Sequence, residues 1–238
     1  MKLNSLSSSI KLSLRIAAFL IATAALWSAY FWWRPPGPTL HLRVVTHMNE
    51  ASNEVALTFD DGPHPLTTPL LLASLKRAGV KATFFVVSDG LTLYPQLARQ
   101  IVDDGHRLAN HSNHHINLTK IESSDYPIEI DRTFDAISNA GIETRLFRPP
   151  GGGLDRRAMN YLYQKDVTLA WWTNNVGDWA PLPAWKIANH LNNTLRAGDI
   201  VLMHDAGTST PQALPLVIRE ARKKGLNFVP MPEEVLLP

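Results

Sequence analysis

The side chains best suited to chemistry in this 238-residue chain are carboxylates and imidazoles set at the ends of apolar runs. Asp60 and Asp61 follow the run EVALTF and lead directly into Gly62-Pro63. Carboxylates at the end of an apolar strand are costly unless something pairs with them. His111 and His115 stand four positions apart in NHSNHH. On a helical turn, positions i and i+4 share a face, so two imidazoles can hold one cation. The chain has no cysteine, so a third ligand has to be a carboxylate, and Asp60 or Asp61 can supply it. Two histidines and one aspartate with a position left open suit a catalytic zinc or a similar divalent metal. The other aspartate can then serve as general base toward a water that the cation activates. Each piece also has a plainer reading. Asp-Asp-Gly-Pro makes a turn, and His111, His114 and His115 can be surface residues. The two clusters together favour the metal.

Three further groups fit around that centre. Arg148, in FRPPGGG, can orient a carboxylate through its planar fork. The glycines after it permit close backbone approach and can present an N–H to a developing oxyanion. His204 ends the run DIVLMH and is a candidate general acid, held protonated by a carboxylate such as Asp178. Trp179, next to Asp178, can wall a sugar-sized pocket. An ordinary loop, a satisfied core histidine and a core tryptophan are the competing readings of these three.

Positioning these groups requires alternating elements. Strands are expected at 55–59, 82–87, 107–110, 144–148, 168–174, 200–204 and 227–230, and helices at 69–78, 94–104, 126–139, 156–165, 183–195 and 212–224. Gly79, Gly105, Gly141, Gly198 and Gly225 follow helices, where a left-handed cap is wanted. The alternation argues for an α/β fold with parallel strands, and periodicity leaves a closed barrel and an open sheet equally possible. In such folds chemistry gathers at the C-terminal ends of the strands, and Asp60-Asp61, His111, Arg148, Asp178 and His204-Asp205 all fall there.

Hydrophobic residues make up 45% of the chain and charged residues 18%, so a packed core is expected and disorder is not. A net charge of +2, with no dense basic block, disfavours nucleic acid as the main partner. Residues 16–33, IAAFLIATAALWSAYFWW, carry no charge; Lys2, Lys11 and Arg15 precede them and Arg34-Pro35-Pro36 follow. This reads as a short single-pass anchor with residues 1–15 inside and the remainder outside, and a cleaved signal sequence is the alternative. Residues 34–53 read as a linker, and the folded domain is expected over 54–238. No feature speaks to oligomeric state.

Taken in order, TFDDGP, the His111–His115 spacing, the R-x-P segment at Arg148, the Asp178-Trp179 pair and Leu202-x-His204 resemble the five motifs of the polysaccharide deacetylase family, also called the NodB homology domain or carbohydrate esterase family 4. The similarity runs from about Glu54 to the C-terminus. The resemblance implies a deformed (β/α) barrel and metal-dependent hydrolysis of N-acetyl groups on amino sugars of a cell-envelope or extracellular polysaccharide. By position Asp60 matches the family's base, Asp61, His111 and His115 its metal ligands, and Arg148 the residue that holds the base. His204 matches the acid, with Asp178 as its tuning partner. Gly151, Leu202 and Trp179 match substrate contacts. The family metal is usually zinc, with cobalt or nickel tolerated. Two positions depart from the pattern: Gly151 stands where the family usually has an aromatic, and Asn175 where it has a first acid before Asp178. With the anchor, the resemblance implies a protein of the bacterial inner membrane whose catalytic domain is periplasmic or extracellular. A lipid-linked amino sugar as substrate, an O-acetyl esterase and a catalytically silent sugar-binding relative are the alternatives.

Overall fold

A computed structural model describes residues 16, 17, 19–28 and 42–233. Residues 16–17 and 19–28 are helical and belong to a unit of their own, distinct from the unit that begins at His41. Ile16, Phe19, Leu20, Ile21 and Leu26 are exposed in that unit. Among the described residues no helix is long and apolar enough to cross a membrane. Residues 18 and 29–33 of the expected anchor, and the expected tail 1–15, lie outside the described residues.

The second unit is built on one parallel sheet. Its strands are β1 (Arg43–Val45), β2 (Glu54–Gly62), β3 (Thr83–Val86), β4 (Arg107–Asn110), β5 (Leu146–Phe147), β6 (Thr168–Ala170), β7 (Asn174–Asn175), β8 (Ile200–His204) and β9 (Asn227–Phe228). They run in the order β1-β6-β5-β4-β3-β2-β8-β7, and β9 pairs with the start of β2. β6 and β7 stand toward opposite ends of this order, yet Trp171, Trp172 and Thr173 alone separate them in the chain. The sheet must therefore curl until its ends meet. The chain itself makes the closure, with Trp171 N–H donating to Val45 O (2.8 Å) and Thr173 N–H to Ile200 O (3.0 Å). The result is a curled, incompletely closed (β/α) barrel, in keeping with the deformed barrel expected.

The helices are α1 (Thr68–Ala78), α2 (Ser88–Leu93), α3 (Pro95–Asp103), α4 (Arg132–Asn139), α5 (Arg156–Gln164), α6 (Ala184–Thr194) and α7 (Ser209–Lys223). Strand β2 shows how two cores arise from one run. Val55, Leu57 and Phe59 pack with Leu71, Leu72 and Leu75 of α1 and with Leu214, Val217 and Ile218 of α7. Ala56 faces the other way, into a cluster with Phe85, Ala109, Leu146, Ala170 and Ile200. Successive strand residues point to opposite faces, so Thr58 and Asp60 share the face of Ala56. Parallel strands buried on both faces read as unbroken apolar runs, which is why EVALTF shows no alternation.

Several expected boundaries differ. Residues 43–45, read as part of a linker, form β1, which pairs with β6 and buries Val45 completely; three residues after a proline-rich stretch are too few to show a pattern. The expected strand 168–174 breaks at Trp171 and Trp172, where the sheet changes edge. Helix α2 was not expected, because SDGLTL carries a glycine and is short. Helix α7 begins three residues before the expected Gln212, since Pro211 sits in its first turn, where a missing N–H is tolerated. The segment before α4 opens as a π-helical turn, Pro127–Asp131.

Candidate active site

Asp60 and Asp61 end β2, and a register shift between Asp60 and Gly62 breaks the strand's alternation there. The two carboxylates consequently take different nearest partners, with Asp60 Oδ2 standing 3.7 Å from His111 Nε2. Asp60 is 3% exposed, and its Oδ1 accepts from Arg148 Nη1 at 2.7 Å. Asp61 takes a left-handed φ of 74°, uncommon outside glycine, and turns its Oδ1 toward two imidazoles. His115 Nε2 lies 3.1 Å from that oxygen and His111 Nε2 3.4 Å.

The two histidines meet without a helix. His111 follows β4, and the chain through Ser112 (φ 71°) and His115 (φ 56°) is irregular. The expected helical turn is thus replaced by a pinned loop. Asn110 Oδ1 accepts from Ser112 N–H (2.8 Å), Asn110 Nδ2 donates to Ile130 O (2.8 Å), and Asn113 N–H donates to Glu129 O (2.8 Å). The buried asparagine at the end of β4 holds the loop in a shape that propensity alone would not select.

Arg148 is wholly buried inside the curl of the sheet. Its guanidinium lies 4.0 Å over the Phe85 ring, and Nη1 also donates to Thr58 Oγ1 at 2.7 Å. Its carbonyl oxygen lies 2.8 Å from His111 Nδ1. A proton on Nδ1, donated to that carbonyl, leaves the Nε2 lone pair facing Asp61. On the neighbouring strand β8, His204 Nδ1 is 2.8 Å from Asp178 Oδ1, while Asp178 Oδ2 accepts from His204 N–H (3.0 Å) and Thr210 Oγ1 (2.7 Å). Burial pulls the His204 imidazole down, but its hydrogen bond to Asp178 and the charges of Asp60, Asp178 and Asp61 outweigh this and raise it above the usual histidine value. Burial likewise pushes Asp61 upward, and the close imidazoles of His111 and His115 more than reverse it, holding the carboxyl far below the usual range.

A cavity of about 340 Å³ opens onto these groups. Asp60, Asp61, His111, His115, Gly151, Trp179, Leu202 and His204 all line it, while Arg148 and Asp178 lie behind the wall, each bonded to a residue in it. Gly151 adopts φ 60°. Asn175 lines the cavity too, as does Trp172, which the sequence did not single out. Trp172 stacks on Trp171 at 4.6 Å, and both ring edges press on Gly152, where a Cβ would come within 3.2 Å of Trp172. Thr58 and Thr210, the hydroxyl partners of Arg148 and Asp178, were also missed. Thr58 sits two positions before Asp60 on the same strand face, and that parity was the one available signal.

The Asp61, His111 and His115 ligand atoms all lie within 4.8 Å of one another. Tetrahedral ligands held at ~2.0–2.1 Å from zinc stand roughly 3.3 Å apart, close to the 3.4 and 3.1 Å from Asp61 Oδ1 to the two imidazole nitrogens. Asp61 Oδ1 is buried and receives no well-formed hydrogen bond. A buried anionic oxygen in that state fits a cation. Two nitrogens and one oxygen, with no sulfur, suit a divalent transition-metal ion.

A family model described as polysaccharide deacetylase matches residues 47–170. Two peptidoglycan-N-acetylglucosamine deacetylases of Bacillus cereus are similar in sequence. One is 32% identical over 188 residues, covering 75% of this chain and 67% of the relative. The other is 35% identical over 192 residues, covering 75% of this chain and 86% of the relative. The crystal structure of the Bc1960 peptidoglycan N-acetylglucosamine deacetylase, solved with an N-hydroxybenzamide-type compound, aligns with a TM-score of 0.78 at 29% identity, covering 81% of this chain and 92% of that one.

Proposed function

The chain belongs to the polysaccharide deacetylase family, and from that premise we propose that it removes N-acetyl groups from amino-sugar residues of a cell-envelope polysaccharide in a metal-dependent hydrolysis. The observation that carries this reading is the convergence on one cavity of a three-ligand group, Asp61-His111-His115, with a base pair, Asp60-Arg148, and an acid pair, His204-Asp178. The names of the similar Bacillus cereus proteins support a peptidoglycan-like glycan as substrate.

Asp61, His111 and His115 would hold the cation, zinc in the first instance, with cobalt or nickel as substitutes. When bound, such an ion polarises an acetamide carbonyl and lowers the pKa of water. The chain's own residues do the rest. Asp60, aimed by Arg148, takes a proton from the attacking water. Gly151, in the cavity wall, offers its N–H to the oxyanion that forms on the carbonyl. His204 gives its proton to the departing amine nitrogen as the C–N bond breaks, and Asp178 stabilises the charged imidazole. Acetate and a free amino sugar result. Trp179 and Leu202 flank the sugar.

We also propose that residues 16–33 anchor the chain in the bacterial inner membrane with the catalytic unit outside. The support is the uncharged run of 18 residues with basic residues before it. Protease treatment of intact spheroplasts should digest the catalytic unit while the N-terminus stays protected; full protection of the whole chain would refute it.

The function is tested with the full chain purified in detergent. Acetate release is measured from N-acetylglucosamine oligomers, peptidoglycan and O-acetylated xylan, with zinc or cobalt and with a chelator control. Chelator-sensitive acetate from the amino-sugar substrates is expected. Release from xylan alone would make the protein an O-acetyl esterase. Silence on all three from protein that binds zinc would refute the polymer reading in favour of a lipid-linked sugar or a binding role.

A further inference from the structure

Asp205 follows His204 directly, is completely buried, and takes no part in the chemistry above. Its bonds all run to the segment that carries the metal-ligand candidate Asp61. Its N–H donates to Asp60 O at 2.8 Å, extending the β2–β8 ladder by one step. Its carbonyl accepts from Thr67 Oγ1 at 2.7 Å. Its carboxylate accepts from Thr67 Oγ1 (3.1 Å) through Oδ1 and from Thr68 Oγ1 (2.5 Å) through Oδ2. Thr68 Oγ1 accepts in turn from His64 N–H at 2.7 Å. Both threonines are buried at the head of α1. The carboxylate thus ties down the far end of the turn that Asp61 begins.

Gly62 shows that the seat is tight. A Cβ on Gly62 would fall on Asp205 Oδ2 and lie within 3.1 Å of its Cγ and 3.2 Å of its Cβ. Its three nearest obstacles all belong to Asp205, and its φ is not in the left-handed range that would by itself call for glycine. The glycine after the aspartate pair is therefore dictated by a residue 143 positions away. A buried carboxylate is expensive to keep, and burial lifts this one to about 7 against the pull of the Thr68 and Thr67 hydroxyls.

We propose that Asp205 is a positioning residue for Asp61: by packing directly on Gly62 and tying down His64 through Thr68, it holds Asp61 in its left-handed conformation so that Oδ1 faces both imidazoles. This rests on the reading of Asp61, His111 and His115 as cation ligands. A non-glycine residue with positive φ relaxes unless its surroundings over-determine it. The partners that orient ligands commonly alter metal affinity 10- to 100-fold when removed.

The test is the zinc dissociation constant of the full chain in detergent, by competition with a chromophoric chelator. Each metal-free variant is also followed by thermal unfolding, so that affinity is read on folded protein. Asp205→Ala and Gly62→Ala should each weaken zinc about tenfold or more, and Thr68→Val by a smaller factor in the same direction. Asp205→Asn, which keeps the shape and can still bond both hydroxyls, should stay within about threefold of wild type. In the Asp205→Ala background, Gly62→Ala should add less than about threefold, because the oxygen it would strike is gone. Folded Gly62→Ala and Thr68→Val proteins that bind zinc within twofold of wild type would overturn the proposal, and they decide it even if Asp205→Ala does not fold. Multiplying effects in the double variant would overturn it as well. Zinc bound by Asp61→Ala as tightly as by wild type would instead overturn the ligand assignment beneath it.

Discussion

Asp60 and His204 are direct register partners on the adjacent parallel strands β2 and β8. The hydrogen-bonded ladder, not a flexible loop, therefore sets the separation between the proposed base and the proposed acid. Neighbouring strands lie ~4.7–4.9 Å apart, a spacing that lets two side chains reach one small group from opposite sides.

From that arrangement, Asp60→Asn should lower kcat on an N-acetylglucosamine oligomer by about 10²–10⁴, the usual range for a general base. Zinc affinity should stay within about threefold, since Asp61 and the imidazoles are untouched. Acetate release and chelator competition on the same sample check it. Near-normal turnover would remove Asp60 from the mechanism.

Arg148→Met should be harsher on the fold. Arg148 and Asp60 form a buried pair with side chains 0% and 4% exposed. Removing one partner of such a pair destabilises by about 3–5 kcal/mol. The change also strips the donor that orients Thr58 and Asp60, so activity should fall with stability. Arg148→Lys keeps the charge but loses the fork that reaches Thr58, Asp60 and the Trp171 carbonyl. It should recover part of the stability in urea unfolding and little of the rate. Stability equal to wild type in the methionine variant would contradict this account.

The pH profile reports on Asp178. An acid that must be protonated loses its effect as pH rises through its pKa. Asp178 helps hold His204 above the ordinary imidazole value. Asp178→Asn removes the negative charge, so the alkaline limb of the kcat profile should move to lower pH. A limb that stays in place would mean that another group carries the proton.

His106 offers a stability test remote from the cavity. It is buried against the Phe84 ring and accepts from Ala82 N–H through Nδ1. Burial, helped by the nearby Lys81, pushes its pKa down to about 4. The unfolded chain binds the proton first as the pH falls below the ordinary histidine value of 6.5. The stability that neutral His106 contributes is therefore complete above that value and is lost progressively down toward pH 4. His106→Gln retains an acceptor for Ala82 and cannot titrate. The fall in urea midpoint between pH 7 and pH 5 should be shallower in this variant than in wild type. Identical slopes would show that His106 titrates alike in both states.

Much of the catalytic unit is legible along the chain, because its information is local. An apolar run that stops at Asp60-Asp61, imidazoles four apart, and polar residues at successive strand ends are patterns within a few residues, and the rule that chemistry gathers at strand ends organises them. Strand β4 and strand β8 stand where hydrophobic pattern placed them. Pattern failed where an element is very short and follows a proline-rich stretch, as at β1, or where a strand changes edge, as at Trp171-Trp172.

Other features depend on which distant segments touch. Spacing alone left open which aspartate faces the imidazoles; the register shift at the end of β2 and the left-handed Asp61 decide it geometrically. Arg148 meets Asp60 across 88 positions and turns its carbonyl to His111 across 37. Asp205 reaches Thr67 across 138 and denies a side chain to Gly62. The types of residue needed for the chemistry are written in the sequence, since each is an intrinsic property of a side chain. Their orientation, protonation and permitted neighbours are set by the curl of the sheet, because those depend on desolvation and close packing between segments that sequence order does not bring together.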